Sequence, residues 1–175
     1  DDLLTRNPQH EQGLYLAAEL ADIEGKSGLA QKYLTRLVRL NDQGAEVWYK
    51  LGILSLEKDP PKYKQAERYL KEAVKRDECP AEAHYELGLL YSNHFGKPKK
   101  ALKHFQRVRE AQPDHAFVNY DIALLLHQKG KQKKALEAYE QAVAINPEIK
   151  TPENDAAFAL NDQPAERKQE QHTLQ

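Results

Sequence analysis

The stretch AEVWYKLGILS, Ala45–Ser55, returns almost unchanged as AEAHYELGLLY, Ala81–Tyr91. A third version, AFVNYDIALLL, fills Ala116–Leu126, and a degenerate fourth, EQGLYLAAELA, fills Glu11–Ala21. The four starts lie 34, 36 and 35 residues apart. A period near 34 residues marks a stack of helical hairpins in which each unit buries its apolar face against its neighbours. The spacing therefore predicts one continuous array instead of a single globular core.

Each copy places its inward residues three and four apart, on one face of a helix A. These are Leu14, Ala17, Ala18 and Ala21; Trp48, Leu51, Gly52 and Ser55; His84, Leu87, Gly88 and Tyr91; and Asn119, Ile122, Ala123 and Leu126. A small residue recurs at Ala18, Gly52, Gly88 and Ala123, where a larger side chain would overpack a close helix crossing. A second stripe lies on a helix B: Ala30, Leu34, Leu37; Ala66, Leu70, Ala73; Ala101, Phe105, Val108; and Ala135, Tyr139, Ala142. Gly25, Gly96 and Gly130 fall between A and B and suit left-handed turns. The second copy has Asp59-Pro60-Pro61 there instead, and proline cannot continue helix A.

These residues resemble the tetratricopeptide repeat (TPR) family. Trp48-x-x-Leu51-Gly52 with Ala66, Leu70 and Ala73 follows the family pattern, as do Leu87-Gly88-x-x-Tyr91 and Ala135, Tyr139, Ala142, Pro147. Ser55, His84 and Asn119 depart from it, as do the insertions near residues 60 and 97. The resemblance implies an all-α fold, an α-solenoid of about four hairpins in a right-handed superhelix. The expected organisation is the end of a preceding repeat over 1–10, units over 11–44, 45–80, 81–115 and 116–149, a capping helix over 150–163 and a disordered polar tail over 164–175. Thr151 and Pro152 suit the cap's first turn, and Ala156, Ala157 and Leu160 are expected to pack back on the last unit. Residue 1 is not methionine, and the chain has none, so a processed product or excised fragment of a longer array is expected. Such a truncation would leave Leu14, Leu34 and Leu37 partly uncovered.

Bulk composition narrows function by exclusion. Of 175 residues, 40% are hydrophobic and 30% charged, and the formal net charge is −1, so no global field favours nucleic acid or membrane. No apolar run exceeds the five residues of Ile122–Leu126, far short of the ~20 that a membrane helix needs. A soluble protein of cytoplasm or bacterial periplasm is expected, with the compartment left open. One cysteine, Cys79, excludes an intramolecular disulfide and a multi-cysteine zinc site. Gly25-Lys26-Ser27 lacks the earlier glycine of a phosphate loop, Leu20 standing in its place. No two of the seven histidines have the one-turn spacing of a metal pair, and no serine, cysteine or carboxylate is set up as a nucleophile or acid–base pair. No catalytic residue, metal or cofactor is expected.

The resemblance implies a groove lined by the A helices. Tyr15, Tyr49, Tyr85 and Tyr120 occupy one repeat position, with Ile53, Leu89 and Leu124 beside them and His127 at the end of the stripe. Glu46, Glu82, Glu86 and Asp121 make this face acidic, whereas lysines gather at the A–B turns. Tyrosine supplies contact area with a hydroxyl handle. The expected function is a non-catalytic protein–protein interaction scaffold whose groove takes a cationic or amphipathic peptide or helix. Chaperone-binding members grip a C-terminal carboxylate with lysine, asparagine and arginine. Here the two possible registers hold Tyr15, Glu19, Lys50, Glu82, Glu86 and Tyr49, Ile53, Glu86, Phe117, Asp121, which would repel it. The alternatives are an oligomerisation or assembly module, or a polymer- or glycan-binding groove of a bacterial envelope assembly. Nucleic acid is disfavoured, because no aromatic residues interleave with the turn lysines.

Overall fold

The computed structural model describes residues 4, 6–41 and 44–159. The expected tail 164–175 and Leu160 lie outside the described residues. Those described form two compact units, one ending at Pro113 and the other beginning at Asp114. Among them every regular element is helical.

The first unit contains three hairpins. Helix α1 (Glu11–Ile23) pairs with α2 (Ser27–Leu40), α3 (Ala45–Leu56) with α4 (Tyr63–Ala73), and α5 (Ala81–Leu89) with α6 (Pro98–Ala111). Successive hairpins touch through α2 against α3 and α4 against α5. The second unit holds α7 (Ala116–Gln128) and α8 (Gln132–Ile145), a 3-10 turn at Pro147–Ile149, and a short α9 (Pro152–Phe158). The architecture belongs to the α-solenoid class that the period predicts.

The helix B stripes are buried at every expected position, from Ala30, Leu34 and Leu37 to Ala135, Tyr139 and Ala142. The small residues of helix A explain how the hairpins close. A Cβ added at Gly88 would stand 2.3 Å from the Phe105 ring, and one at Gly52 would stand 2.7 Å from Leu70. The three A–B glycines adopt the left-handed backbone that other residues resist, with φ of 71°, 57° and 67° at Gly25, Gly96 and Gly130. Before Gly96, α5 runs into a π turn at Leu90–His94, a form that admits an extra residue into a helix.

Three expectations need correction. Helix A buries more than one stripe: Val47 and Leu54, Ala83 and Leu90, and Val118 and Leu125 are also buried, while Leu126 is only half-buried. In the first unit α3 is packed on both sides, against its own α4 and the preceding α2. Leu14, Leu34 and Leu37 are fully buried, not partly uncovered; the exposed apolar residues of α1 are Leu16, Leu20 and Ile23. Leu20 corresponds to Leu54, which is shielded in the next hairpin. Finally, Ala156 and Ala157 of α9 face solvent, and Phe158 is the residue that packs back. Its ring buries more apolar area than two methyl groups can.

Candidate functional site

Helices α1, α3 and α5 place Tyr15, Tyr49 and Tyr85 at equivalent, half-buried positions. Burial raises the pKa of the Tyr49 hydroxyl, and the fields of Glu86, Glu82 and Glu46 push it further, so these carboxylates converge on one tyrosine. Tyr15 is likewise raised by burial, with Lys50 pulling the other way. The Tyr85 ring leans on Phe105 with centroids 5.8 Å apart, which fixes its direction from the core side. Ile53 and Leu89 stand beside the tyrosines, each half-buried.

Two of the charged groups on this face have very different surroundings. Lys50 meets Glu19 at 2.7 Å and Glu46 at 3.6 Å. Burial disfavours its charge, but the hydrogen bond to Glu19 prevails and its pKa is raised. Glu86 takes the same repeat position one hairpin later. Burial alone pushes its carboxyl above the usual range, and among the described residues no ion pair to it is seen. Glu86 is thus a half-buried carboxyl whose neutral form is favoured by burial.

A cavity of about 130 Å³ opens on this face between the first two hairpins. Ala18, Ala30, Leu34 and Leu54 line it from the core, and Glu19, Asp22, Tyr49 and Lys50 carry its polar atoms. It is smaller than the ~300–1,000 Å³ typical of small-molecule pockets and suits one aliphatic side chain.

In the second unit the equivalent face is occupied by the chain itself. The Tyr120 hydroxyl donates to Asn154 Oδ1 at 2.8 Å, and its ring meets Phe158 edge-on at 6.1 Å. His127 also meets Phe158 edge-on, at 5.7 Å, and its Nδ1 lies 2.8 Å from Gln132 Oε1. The Gln132 amide in turn donates to the carbonyls of Phe158 and Ala159. Phe158 stacks on Tyr139 at 4.5 Å, and the Tyr139 hydroxyl, pushed up to about 12 by burial and by Asp155, donates to that carboxylate at 2.7 Å. Asp121 and Leu124 are half-buried nearby in sequence on α7. Tyr120 and His127, expected as partner contacts, are thus engaged by α9. Asn154 comes 34 residues after Tyr120, so α9 stands where the repeat would begin a fifth helix A.

Residues 79–148 match a family model described as tetratricopeptide repeat. Residues 79–148 thus carry tetratricopeptide repeats. Among curated proteins none matches it by sequence. Solved structures with the same fold include MamA, 23% identical with a TM-score of 0.74 and 84% of each chain covered. A MamA from Desulfovibrio magneticus RS-1 is 22% identical, TM-score 0.68, covering 79% of this chain and 76% of its own. YrrB, described as a TPR protein with an unusual peptide-binding site, is 26% identical, TM-score 0.69, covering 82% of this chain and 73% of its own.

Several residues of these helical hairpins play parts that motif reading overlooks. His10 and His115, three repeats apart, cap helices α1 and α7: their Nδ1 atoms accept from the backbone N–H of Gly13 and Val118 at 2.9 and 3.2 Å. A histidine just before helix A in both copies is the signal that could have found them. His84 and His104 lie with their Nδ1 atoms 2.9 Å apart, so one ring donates and the other accepts. Burial, then the charge of His84 and nearby Lys103, Lys100 and Lys71, depress His104 to about 4. The Tyr91 hydroxyl reaches across hairpins to donate to Glu67 at 2.8 Å. None of these side chains belongs to the tyrosine face.

Proposed function

We propose that this chain is a non-catalytic protein-interaction scaffold whose first unit takes an extended or helical segment of a partner along α1, α3 and α5. The observation that carries the reading is Glu86: a carboxylate raised by burial, beside Tyr49 and Glu82, with no cation of its own among the described residues. A lysine or arginine of the partner would restore its charge balance. An aliphatic residue of the same segment would enter the cavity over Leu34 and Leu54. Tyr49 and Tyr85 would supply contact area, since a few aromatic anchors dominate interface energy. The ligand is accordingly cationic or amphipathic, and a bare C-terminal carboxylate is repelled. The solved YrrB, at 26% identity, supports peptide binding as a use of this fold.

The test is titration of a labelled peptide alternating lysine and leucine, read by anisotropy. Tyr49→Ala with Tyr85→Ala is expected to weaken binding by more than ~1 kcal/mol with unchanged circular dichroism. Glu86→Gln is expected to weaken it by a comparable amount. Equal affinity in all three proteins would move the site elsewhere.

Self-association is the second reading, favoured by Leu16, Leu20 and Ile23, which expose 58%, 58% and 84% of their surface along one face of α1. Sedimentation at two concentrations, with Leu20→Glu and Ile23→Glu as the disrupting variant, decides it; a monomer at both concentrations removes it.

A further inference from the structure

Helix α2 contains three cations, Lys32, Arg36 and Arg39, and no acidic residue. They are spaced four and three apart, so they form one stripe. Together with Gly28, Gln31 and Thr35 of α2 and Gln65 and Tyr69 of α4, they line an open groove of about 640 Å³. No acidic residue lines this groove. The two carboxylates of α4 are held elsewhere: Glu67 by the Tyr91 hydroxyl and Lys71, and Glu72 by Lys75 and Arg76. Among the described residues none of the three cations of α2 makes an ion pair. The groove is therefore positive in a chain whose net charge is −1.

A second observation points into the same place. The amide nitrogen of Gln31 is shut off from solvent and has no hydrogen-bond acceptor, while its oxygen accepts from Lys58. Lys58 thereby fixes the amide and leaves an unsatisfied donor in the groove wall. The groove edge gains further positive charge from Arg68, which lies 5.2 Å over the Tyr69 ring.

We propose that the groove between α2 and α4 docks an acidic polypeptide segment, a ligand opposite in charge to the one assigned to the tyrosine face. The stripe runs seven residue steps from Lys32 to Arg39, about 10 Å of helix, with cations about one turn apart. That rhythm matches carboxylates one turn apart on a partner helix. A nucleic acid strand, whose phosphates continue far beyond so short a track, would use few of its charges here. A flat bilayer would not reach into a groove floored by the buried Tyr69.

The probe is a fluorescein-labelled polyglutamate peptide, monitored by anisotropy at low and physiological salt. The triple variant Lys32→Glu, Arg36→Glu, Arg39→Glu is expected to lose at least ~10-fold in affinity, and binding to the wild type falls as salt rises. A charge-matched control, Lys131→Glu, Lys133→Glu, Lys134→Glu in the second unit, is expected to change affinity less than ~2-fold. Gln31→Leu, which keeps every charge, is expected to cost about threefold. Tyr49→Ala with Tyr85→Ala leaves this binding intact, which separates the site from the tyrosine face. Should the triple variant fail to fold by circular dichroism, the single exposed change Arg36→Gln carries the test, with a loss of about threefold. The proposal is overturned if polyglutamate does not bind, if the control loses as much as the triple variant, or if oligodeoxythymidylate or phosphatidylserine vesicles bind the stripe as tightly as the peptide does.

Discussion

Tyr49 and Tyr120 stand at the same place in their repeats and meet different neighbours. Around Tyr49 lie three carboxylates, an apolar cavity and open solvent. Tyr120 has already given its hydroxyl to Asn154 and its ring edge to Phe158. Both side chains are half-buried, so burial by itself does not tell them apart. The difference lies in the next element along the chain. After Tyr49 comes another full helix A, whose Glu86 brings charge; after Tyr120 comes the seven-residue α9, whose Asn154 and Phe158 bring a hydrogen bond and a ring. Equivalence in a repeat is thus equivalence of the position inside a hairpin, and the next hairpin decides what that position can do.

The largest expected break in this comparison is Phe158→Ala. It removes a fully buried ring stacked on Tyr139, and a loss of about 3–5 kcal/mol in denaturant stability is expected. An unchanged midpoint would mean that α9 does not cover the second unit as described. Next is Gly88→Ala in the first unit. Its new Cβ would meet Phe105 at 2.3 Å, and a cost of about 1–3 kcal/mol is expected from thermal melts. Ala123, at the same place in the second unit, already carries a Cβ, so Ala123→Gly tests helix propensity more than clash and should cost about 1 kcal/mol. A harmless Gly88→Ala would sink the close-crossing account.

A smaller effect sharpens the contrast between the tyrosines. Tyr120→Phe deletes one hydrogen bond and is expected to lower stability by about 0.5–1.5 kcal/mol while leaving affinity for the lysine–leucine peptide unchanged. Tyr49→Phe is expected to leave stability alone. Reversed results would exchange the roles of the two units.

The gentlest effect is a pH slope. His104 is depressed to about 4 and His84 is also lowered by burial. Both rings are therefore favoured neutral in the folded protein. Above the ordinary histidine value of about 6.5 neither folded nor unfolded chain binds the proton, and the contribution is fully present. As pH falls from there toward about 4, the unfolded chain takes up protons that the folded chain refuses, and stability is lost. The melting temperature should fall across this window, and His104→Gln should flatten that slope. An identical slope in the variant would assign it to other groups. Glu86 runs the other way. Its raised carboxyl pKa makes the ionised form costly in the folded state, so its penalty fades as pH falls, and Glu86→Gln should not destabilise the fold.

The helix B stripe was readable residue by residue, because Ala66, Leu70 and Ala73, like their counterparts, contact their own hairpin at spacings that a single helix already imposes. Helix A was only half readable. Val47 and Leu54 are buried in one apolar cluster with Leu14, Leu34 and Leu37 of the preceding hairpin, and a single-stripe pattern hides such a second packed face. The tyrosine positions could be found by alignment of the copies, whereas the cavity over Leu34 and the isolation of Glu86 could not. They depend on distances between side chains some 30 residues apart. The groove on α2 was half-visible as a helix with no acid, but its significance rests on Glu67 and Glu72 being held by Tyr91, Lys71, Lys75 and Arg76.

The sequence by itself determined the period, the paired helices, the glycine turns and the stripe of tyrosines, since all of these arise from residue spacing along one chain. Only the tertiary structure decided which of the equivalent residues are engaged by the next element of the chain. Access is set by the atoms of the next hairpin: Phe158 and Asn154 take Tyr120, and nothing described takes the charge of Glu86.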